Sequence, residues 1–347
     1  MKQPILRFAS FTFLLLPLAV FAQAGDEEAK AAALIDKLGG KVTRDPKAKG
    51  NPIVSVDLSS REIKDATLKD LTGLSQTKSL DISFTPITDA GIKQLAGLFP
   101  QLQTLNLAGT KLSNAGLKDL AAFKQLQSLF VSYTGVTDAG LKDLATLTQL
   151  QALGLDGNSI SDAGLTSLAP LKQLKAIGLG QTPITDAGMK NLAGIPQLRE
   201  IDLSRADITD AGLKELAGLK ELNKLLLSST RVTDAGMKTL AGMTQLKELN
   251  LNLTSLSDAG VKELAGLAQL QALWLGHTKI TNAGVKELAR LTKLEKLYLG
   301  HTRVTDAGLK DLAGMKQLQD LYLLSTAVSD PGVAALQKAL PKCKILR

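Results

Sequence analysis

A four-residue motif, Thr/Ser-Asp/Asn-Ala-Gly, returns at almost constant spacing along most of this 347-residue chain. Successive copies lie 24 residues apart, except for a first step of 25 residues in which Phe99 and Pro100 lengthen a loop. This regularity is typical of a repeat array, in which each unit stacks on the next and the chain folds as one body at any length. The copies begin at residues 88, 113, 137, 161, 185, 209, 233, 257, 281, 305 and 329, the last with proline in place of alanine.

Each unit reads LxxLxLxxTxITDAGLKxLAGLxx, and the spacing of its apolar residues changes midway. In the LxL segment, apolar residues alternate with period two, as in a strand with one buried face. In the AGLKxLAGL segment, leucines lie three and four residues apart, as on an amphipathic helix. A single unit cannot bury both apolar sides, so about a dozen stacked units are expected to share one core. Because only 3% of the residues are aromatic, that core is expected to consist of leucine and alanine.

These motifs resemble the leucine-rich repeat family, and the ITDAGLxxLA segment is most similar to its cysteine-containing or F-box-associated type and to repeats of secreted bacterial members. The resemblance covers Val54 to Leu346. It implies an α/β fold, a horseshoe-shaped solenoid with a concave parallel β-sheet and short convex helices. The family's usual Asn or Cys after the strand is threonine in nine units here, with Asn158 and Ala206 as exceptions. We expect the threonine hydroxyls to bond nearby backbone groups, and the unit at Ala206 to be looser.

The first residues have the composition of an export signal. In residues 1–24, Lys2 and Arg7 precede an apolar run and then a small-x-small site of the kind that signal peptidases cut. We therefore expect cleavage, with an uncleaved N-terminal anchor as the alternative. No later segment is apolar enough for a stable membrane span.

Both ends of the array need a cover, because a terminal unit has no neighbour on one side. Residues 25–52 are predicted to form an N-terminal cap of a helix plus a hairpin. Residues 53–332 then form an array of about 12 repeats, and residues 333–347 a C-terminal cap. Cys343 lies in the last segment, where a buried structural thiol is expected. As the only cysteine, it excludes a disulfide framework within the chain.

The carboxylates of the repeated motif suggest either a row of calcium ligands or a row of helix N-caps. Asn114 and Asn282 replace aspartate in two copies, and every full copy has Ser or Thr just before that position. Ser, Thr, Asp and Asn all cap helix N-termini, so capping explains the pattern whereas metal binding does not. The glycines of the motif are predicted to be close-packing positions, because none stands in the GxxxxGK context of a phosphate loop.

Residues beside the two strand leucines are free of packing and are expected to face the concave side of the sheet. Every Trp, Tyr and His falls in one of two such columns, either between the leucines or three residues later. Exposed aromatic side chains are enriched where proteins bind partners, so these columns predict a binding surface. Glycines from Gly154 to Gly180 predict a shallow trough with a polar centre. The predicted partner-binding residues are Trp274, His277, Tyr298, His301, Tyr322, Phe130, Tyr133, Arg205 and Asp202.

Other interpretations of these columns are weaker. Aromatic side chains on adjacent units can cover the sheet by stacking on one another, without a ligand. His277 and His301 have no acidic or thiol ligand in nearby rows, so we expect no metal and no cofactor. They also lack a nucleophile and an orienting carboxylate, so we expect no catalytic residues and no enzyme. Because the lysines are not interleaved with stacking aromatics, we expect no nucleic-acid binding.

The sequence therefore predicts a secreted or periplasmic, non-enzymatic module that recognises a protein partner through its concave face. We expect a monomer. Binding of a glycan or cell-wall polysaccharide by the aromatic residues is the alternative, since sugars stack on aromatic rings. A spacer without any ligand is the third hypothesis.

Overall fold

The computed structural model describes the backbone of residues 17–347 and the side chains of residues 26–347. Most of the predicted export signal therefore lies outside the described residues, and its cleavage stays a prediction. In the described part, 14 strands form one open sheet in which each strand neighbours the next in sequence. The strands are β1 (Lys41–Arg44), β2 (Ile53–Asp57), β3 (Ser79–Asp81), β4 (Thr104–Asn106), β5 (Ser128–Phe130), β6 (Ala152–Gly154), β7 (Ala176–Gly178), β8 (Glu200–Asp202), β9 (Lys224–Leu226), β10 (Glu248–Asn250), β11 (Ala272–Trp274), β12 (Lys296–Tyr298), β13 (Asp320–Tyr322) and β14 (Lys344–Leu346).

Strand pairing places equivalent residues of successive units side by side. β1 pairs antiparallel with β2, and all later pairs are parallel. Leu249 lies opposite Leu225 on one side and opposite Leu273 on the other. A position of the repeat therefore becomes a column that runs across the whole sheet, which confirms the predicted α/β solenoid.

Short helices return the chain from one strand to the next. Residues Gly164–Leu168 and Asp186–Gly188 are 3-10 helices instead of α-helices. In the first of these, the Thr166 hydroxyl donates to the Ala163 carbonyl, and Pro170 has no N–H to continue an α-helix. The α-helices are α1 (Pro17–Lys37), α2 (Asp65–Leu68), α3 (Asp89–Leu95), α4 (Asn114–Leu120), α5 (Asp138–Leu144), α6 (Met189–Ala193), α7 (Asp210–Leu216), α8 (Asp234–Ala241), α9 (Asp258–Leu264), α10 (Asn282–Leu288), α11 (Asp306–Leu312) and α12 (Asp330–Ala339).

The core lies between the sheet and the helices and runs as one cluster from Ala31 to Cys343. In each unit both strand leucines are buried, as Leu225 and Leu227 show, and the helix adds two more apolar side chains, such as Leu213 and Leu216. Leucine dominates this core, as the low aromatic content requires. Burial of apolar side chains on this scale is the main stabilising contribution to the array.

The threonine after each strand bonds its own turn, as predicted. All nine hydroxyls donate to the carbonyl three residues earlier, at 2.5–2.8 Å between the oxygens. Asn158 makes the corresponding bond with its amide nitrogen, which lies 3.0 Å from the Leu155 oxygen. Ala206 has no side-chain donor, but its backbone N–H donates to the Leu203 carbonyl at 3.0 Å. The Leu203 carbonyl therefore accepts a hydrogen bond as in the other units. No unpaired carbonyl supports the predicted loosening of this unit.

The repeated motif caps its own helix and also ties it to the next unit. Its Ser or Thr accepts a bond from the N–H two residues later in most units, as Thr209 does from Ala211 at 3.2 Å. The following Asp or Asn bonds the next unit: Asp186 Oδ1 accepts the Thr209 N–H, and its Oδ2 accepts the Thr209 hydroxyl. Eleven such N–H bonds, 2.7–2.9 Å long, join successive helices. The sequence predicted the caps but not this ladder between units.

The glycine of the motif leaves space for this ladder. A Cβ atom added to Gly140 would lie 2.5 Å from Asn114 Oδ1 and 2.6 Å from Leu117 Cδ1, which is closer than atoms pack. The glycines of the other units meet the preceding Asp or Asn in the same way. These glycines are therefore close-packing positions, as predicted.

The two ends are built differently from the repeats. Helix α1 is fixed by Glu28, which accepts bonds from Arg44 at 2.6 Å and from the Ile53 N–H at 3.2 Å. At the other end, β14 pairs with β13, and Cys343 is buried beside it. Burial, with a smaller effect from Asp320, raises the pKa of its thiol to about 11, so the thiol stays protonated and unreactive. No helix within residues 17–347 is long and apolar enough to cross a membrane.

Candidate functional site

The concave face of the sheet presents the two columns in which the sequence concentrates its aromatic residues. In the first column, the residue between the strand leucines points away from the core. The second column lies three residues later, where the backbone is left-handed in every unit, with φ between 55° and 66°. Its members are Phe84, Gly109, Tyr133, Gly157, Gln181, Arg205, Ser229, Leu253, His277, His301 and Ser325.

Three aromatic side chains of the first column form one stack, which we name the aromatic row: Trp274, Tyr298 and Tyr322. The ring centroids are 5.1 Å apart for Trp274 and Tyr298, and 4.1 Å for Tyr298 and Tyr322, with interplanar angles of 17° and 10°. Burial, together with the bond to Tyr322, raises the pKa of Tyr298 to about 12, so its hydroxyl stays neutral. The three half-buried rings therefore present their edges to a partner.

His277 and His301 form a second stack beside the aromatic row. Their imidazole centroids lie 3.9 Å apart at an interplanar angle of 13°, and both side chains are exposed. No group of three potential metal ligands occurs among the side chains of residues 26–347. The two stacked imidazole rings lie in the column beside the aromatic row and widen its flat surface. Their ring nitrogens can form hydrogen bonds with a partner.

Another aromatic group, which we name the aromatic cluster, lies toward the N-terminal end and consists of Phe84, Phe130 and Tyr133. Each ring leans over a glycine of the following unit. For example, a Cβ atom on Gly154 would come within 2.8 Å of Phe130 Cδ1. Tyr133 extends across a whole unit, since its hydroxyl lies 3.4 Å from Gln181 Oε1 two units away. These side chains are 37–61% exposed, so much of each ring is open to a partner.

Two hollows lie next to the aromatic cluster, and we name them together the trough. One hollow, of about 220 Å³, lies over the strands, between Phe130 and Leu226 and above Gly154 and Gly178. The other, of about 440 Å³, lies over the turns, between Tyr133 and Arg205. Their shared polar side chains are Asp156 and Asp202.

Hydrogen bonds fix the carboxylates of the trough. Asp156 accepts the Gly180 N–H at 2.8 Å and the Ser132 hydroxyl at 2.9 Å, and Asp202 accepts the Ser204 N–H at 2.8 Å. All three donors are neutral groups of the sheet. At one edge of the trough, Lys224 lies between Glu200 at 3.6 Å and Glu248 at 3.5 Å.

The structure brings the predicted residues together in two places. Trp274, His277, Tyr298, His301 and Tyr322 adjoin one another at β11–β13. The other predicted residues border the trough between β5 and β9 and do not contact that group; they are Phe130, Tyr133, Asp202 and Arg205.

Sequence reasoning missed two exposed apolar side chains, Leu253 and Leu324. Leu253 precedes His277 in the second column and Leu324 lies two residues after Tyr322, and they are 51% and 59% exposed. The signal was a leucine in an outward column, where most other units have a polar residue or glycine. In a leucine-rich chain that signal was hidden among the core leucines.

Comparison with known proteins identifies the architecture. The model of a leucine-rich repeat region matches residues 76–345, which is most of the chain. The chain belongs to the leucine-rich repeat family. Its open 14-stranded sheet, with one short strand in each unit, is the sheet of a leucine-rich repeat solenoid.

Solved structures include similar leucine-rich repeat proteins. An internalin (inlF) from Listeria monocytogenes superposes with a TM-score of 0.61 at 22% identity, over 91% of this chain and 93% of the internalin. An internalin C2 from the same organism has a TM-score of 0.47 at 28% identity, over 62% and 84% of the two chains. A leucine-rich repeat protein from Leptospira interrogans has a TM-score of 0.46 at 20% identity, over 82% and 94%. No curated protein sequence matched this chain.

Proposed function

We propose that this leucine-rich repeat protein is an exported, non-enzymatic module that binds a protein partner through its concave face. The observation that carries the proposal is the position of the exposed apolar side chains. The aromatic row, the aromatic cluster, Leu253 and Leu324 all lie on the concave face, although none of them is needed in the core. Exposed apolar patches of this kind mark binding sites, and Trp and Tyr are the residues that most often anchor a protein partner.

The stacking of the aromatic row supports a protein over a glycan. A sugar packs against the open face of an aromatic ring, whereas Tyr298 has Trp274 on one face and Tyr322 on the other. The centroid separations of 4.1 and 5.1 Å leave no space for a sugar ring between them. The half-exposed ring edges, with Leu253 and Leu324 beside them, suit apolar side chains of a protein.

Export is proposed from the composition of residues 1–24, which has the charged start, apolar run and small-residue site of a cleaved signal. A role without catalysis is proposed because the exposed histidines, His277 and His301, stack on each other, and no nucleophile or carboxylate among the described side chains is bonded to them. The central carboxylates of the trough, Asp156 and Asp202, accept hydrogen bonds from backbone N–H groups and, at Asp156, from the Ser132 hydroxyl.

Partner capture tests the proposal. The chain is immobilised, extracellular proteins of its host are captured, and binding is compared with a variant carrying Trp274→Ala, Tyr298→Ala and Tyr322→Ala. The matched control carries Lys214→Ala, Lys238→Ala and Lys262→Ala on the convex helices. We expect the row variant to lose at least about tenfold in affinity for the captured protein, as hot-spot aromatics do, and the control to bind normally.

Folding of each variant is checked by its circular dichroism and its thermal unfolding. A second variant, Leu253→Asp with Leu324→Asp, places charges at exposed sites and leaves the stacked rings in place. Equal capture by wild type and both folded concave variants would contradict the proposal and support a spacer. Binding of cell-wall polysaccharide that the row variant loses would instead assign the glycan alternative.

A further inference from the structure

The charge of the trough differs from that of the chain as a whole. The chain has 41 lysines and arginines against 33 aspartates and glutamates, so its overall charge is positive. Many lysines occupy one fixed position on the helices, as Lys214 and Lys238 do, and so face away from the sheet. The charged side chains that line the trough are three carboxylates and two cations, namely Asp156, Glu200 and Asp202 against Arg205 and Lys224.

The two central carboxylates have no cation of their own. Among the described residues, no Lys or Arg nitrogen lies within 4.0 Å of Asp156 or Asp202, whereas Glu200 has Lys224. Both carboxylates are half-buried and accept bonds only from neutral donors. A negative charge held in a hollow, where water screens it less than on an open surface, attracts a cation more strongly.

Both carboxylates lie close to the backbone of Gly180. A Cβ atom on Gly180 would lie 3.1 Å from Asp156 Oδ1 and 3.6 Å from Asp202 Oδ1, so the two carboxylates flank this residue at the floor of the hollow. Tyr133 and Phe84 border the same hollow. A cation placed there meets two carboxylates and at least one aromatic ring, and each of these attracts an ammonium or guanidinium group.

The dimensions of the trough indicate an extended occupant. It runs from β5 to β9, which at about 4.8 Å for each strand spacing is roughly 19 Å. An extended chain advances about 3.3 Å for each residue, so this length takes about six residues. Phe130 lines one end and Leu226 the other, and these two side chains can contact apolar residues at the ends of such a segment.

We propose that the trough binds an extended, lysine- or arginine-containing segment of the partner, with one cationic side chain seated over Gly180 between Asp156 and Asp202. This inference rests on the proposed function, because it adds the partner's charge to a concave-face binding site. It assigns two roles to one face. The trough recognises basic residues, and the aromatic row anchors apolar ones.

A peptide-binding experiment with the full chain tests the inference. The probe is a fluorescein-labelled hexapeptide of alternating lysine and alanine, and its glutamate–alanine counterpart is the charge control. Fluorescence anisotropy is measured at low salt, where attraction between charges is screened least. We expect the lysine peptide to bind at least about tenfold more tightly than the glutamate peptide, and to weaken as salt is added.

The deciding variant carries Asp156→Asn and Asp202→Asn. This chain already has asparagine at the equivalent positions, four units after Asp156 and two units after Asp202, where Asn252 Oδ1 accepts the Gly276 N–H and Asn250 Oδ1 accepts the Asn252 N–H. The substitutions therefore remove charge and retain the hydrogen bonds. The matched control variant carries Asp119→Asn and Asp311→Asn, which remove two negative charges from the convex helices α4 and α11.

We expect the trough variant to bind the lysine peptide about tenfold more weakly or worse, and the convex variant to bind it like wild type. Arg205→Gln removes from the hollow a positive charge that repels the lysine peptide, so this variant is expected to bind the peptide roughly threefold more tightly. Equal peptide affinity in wild type and the trough variant overturns the inference. So does equal binding of the lysine and glutamate peptides.

Partner capture separates this inference from the proposed function. If the aromatic-row variant loses the captured protein and the trough variant still binds it, the partner does not use a basic segment in the trough. The proposed binding function of the concave face is then still supported. Loss of the captured protein in the trough variant, but not in the convex variant, supports both.

Discussion

Single residues of the concave face have an unusual backbone. The second column adopts φ between 55° and 66° with side chains as different as Leu253 and His277. Left-handed backbone costs an L-residue about 1 kcal/mol or more, and glycine avoids that cost. Two units do have glycine there, Gly109 and Gly157. In the other nine units a side chain occupies this position despite that cost.

The first prediction concerns Leu253, whose side chain is half exposed and whose φ is 58°. Leu253→Gly is expected to be more stable than Leu253→Ala by about 1 kcal/mol, because alanine keeps the left-handed strain and glycine does not. At Ser228, outside the left-handed positions, the order reverses and the glycine variant is less stable by roughly 0.5–1 kcal/mol. Urea unfolding at constant pH measures both differences. If the glycine variant were the more stable one at both sites, or the less stable one at both, the result would be inconsistent with this account.

Successive helices are held together by the ladder of Asp and Asn side chains. Asn282 accepts the Thr305 N–H through Oδ1 and donates to its hydroxyl through Nδ2, so asparagine replaces aspartate without loss of a bond. The carboxylate version differs in charge and in the direction of one bond, because the Ser329 hydroxyl donates to Asp306 whereas the Thr305 hydroxyl accepts from Asn282. Bonds from the Ser329 hydroxyl, and then from its N–H, lower the pKa of Asp306 below its ordinary value of 3.8. At Asp306 the ladder therefore links the stability of the helices to pH.

The second prediction follows from that lowered pKa. A carboxylate with a lowered pKa in the folded chain stabilises fully above its unfolded pKa, and this contribution is lost as the pH falls through the folded pKa. Asp306→Asn is therefore expected to be less stable than wild type at pH 6, and this difference is expected to shrink at pH 3 or below. Urea midpoints at the two pH values provide the measurement, with Asp311→Asn on the same helix as the control. A difference that stays constant with pH would exclude the proposed linkage.

At the scale of the whole molecule, the sequence predicts the architecture well because each structural duty recurs with the repeat. The leucine spacing predicts strand, helix and core, and the outward columns predict which side chains are exposed. Contacts between units were harder to predict. Asp186 is a helix cap by its sequence position, and only the stacking distance brings it to Thr209 of the next unit. The outward columns predicted the polar centre of the trough, but not the bonds by which Asp156 accepts from Ser132 and Gly180 of the neighbouring units.

The central claim, that the concave face binds a protein, is tested most directly at Trp274. It is the only tryptophan of the chain, so incorporation of 5-fluorotryptophan gives one fluorine signal from one end of the aromatic row. The signal is recorded with and without a saturating amount of the captured, unlabelled partner, and a protein that is not captured serves as the control. We expect the partner to shift the resonance and to reduce its sensitivity to the exchange of H₂O for D₂O, because the ring edge becomes buried. An unchanged resonance and unchanged solvent sensitivity at saturation would contradict the account.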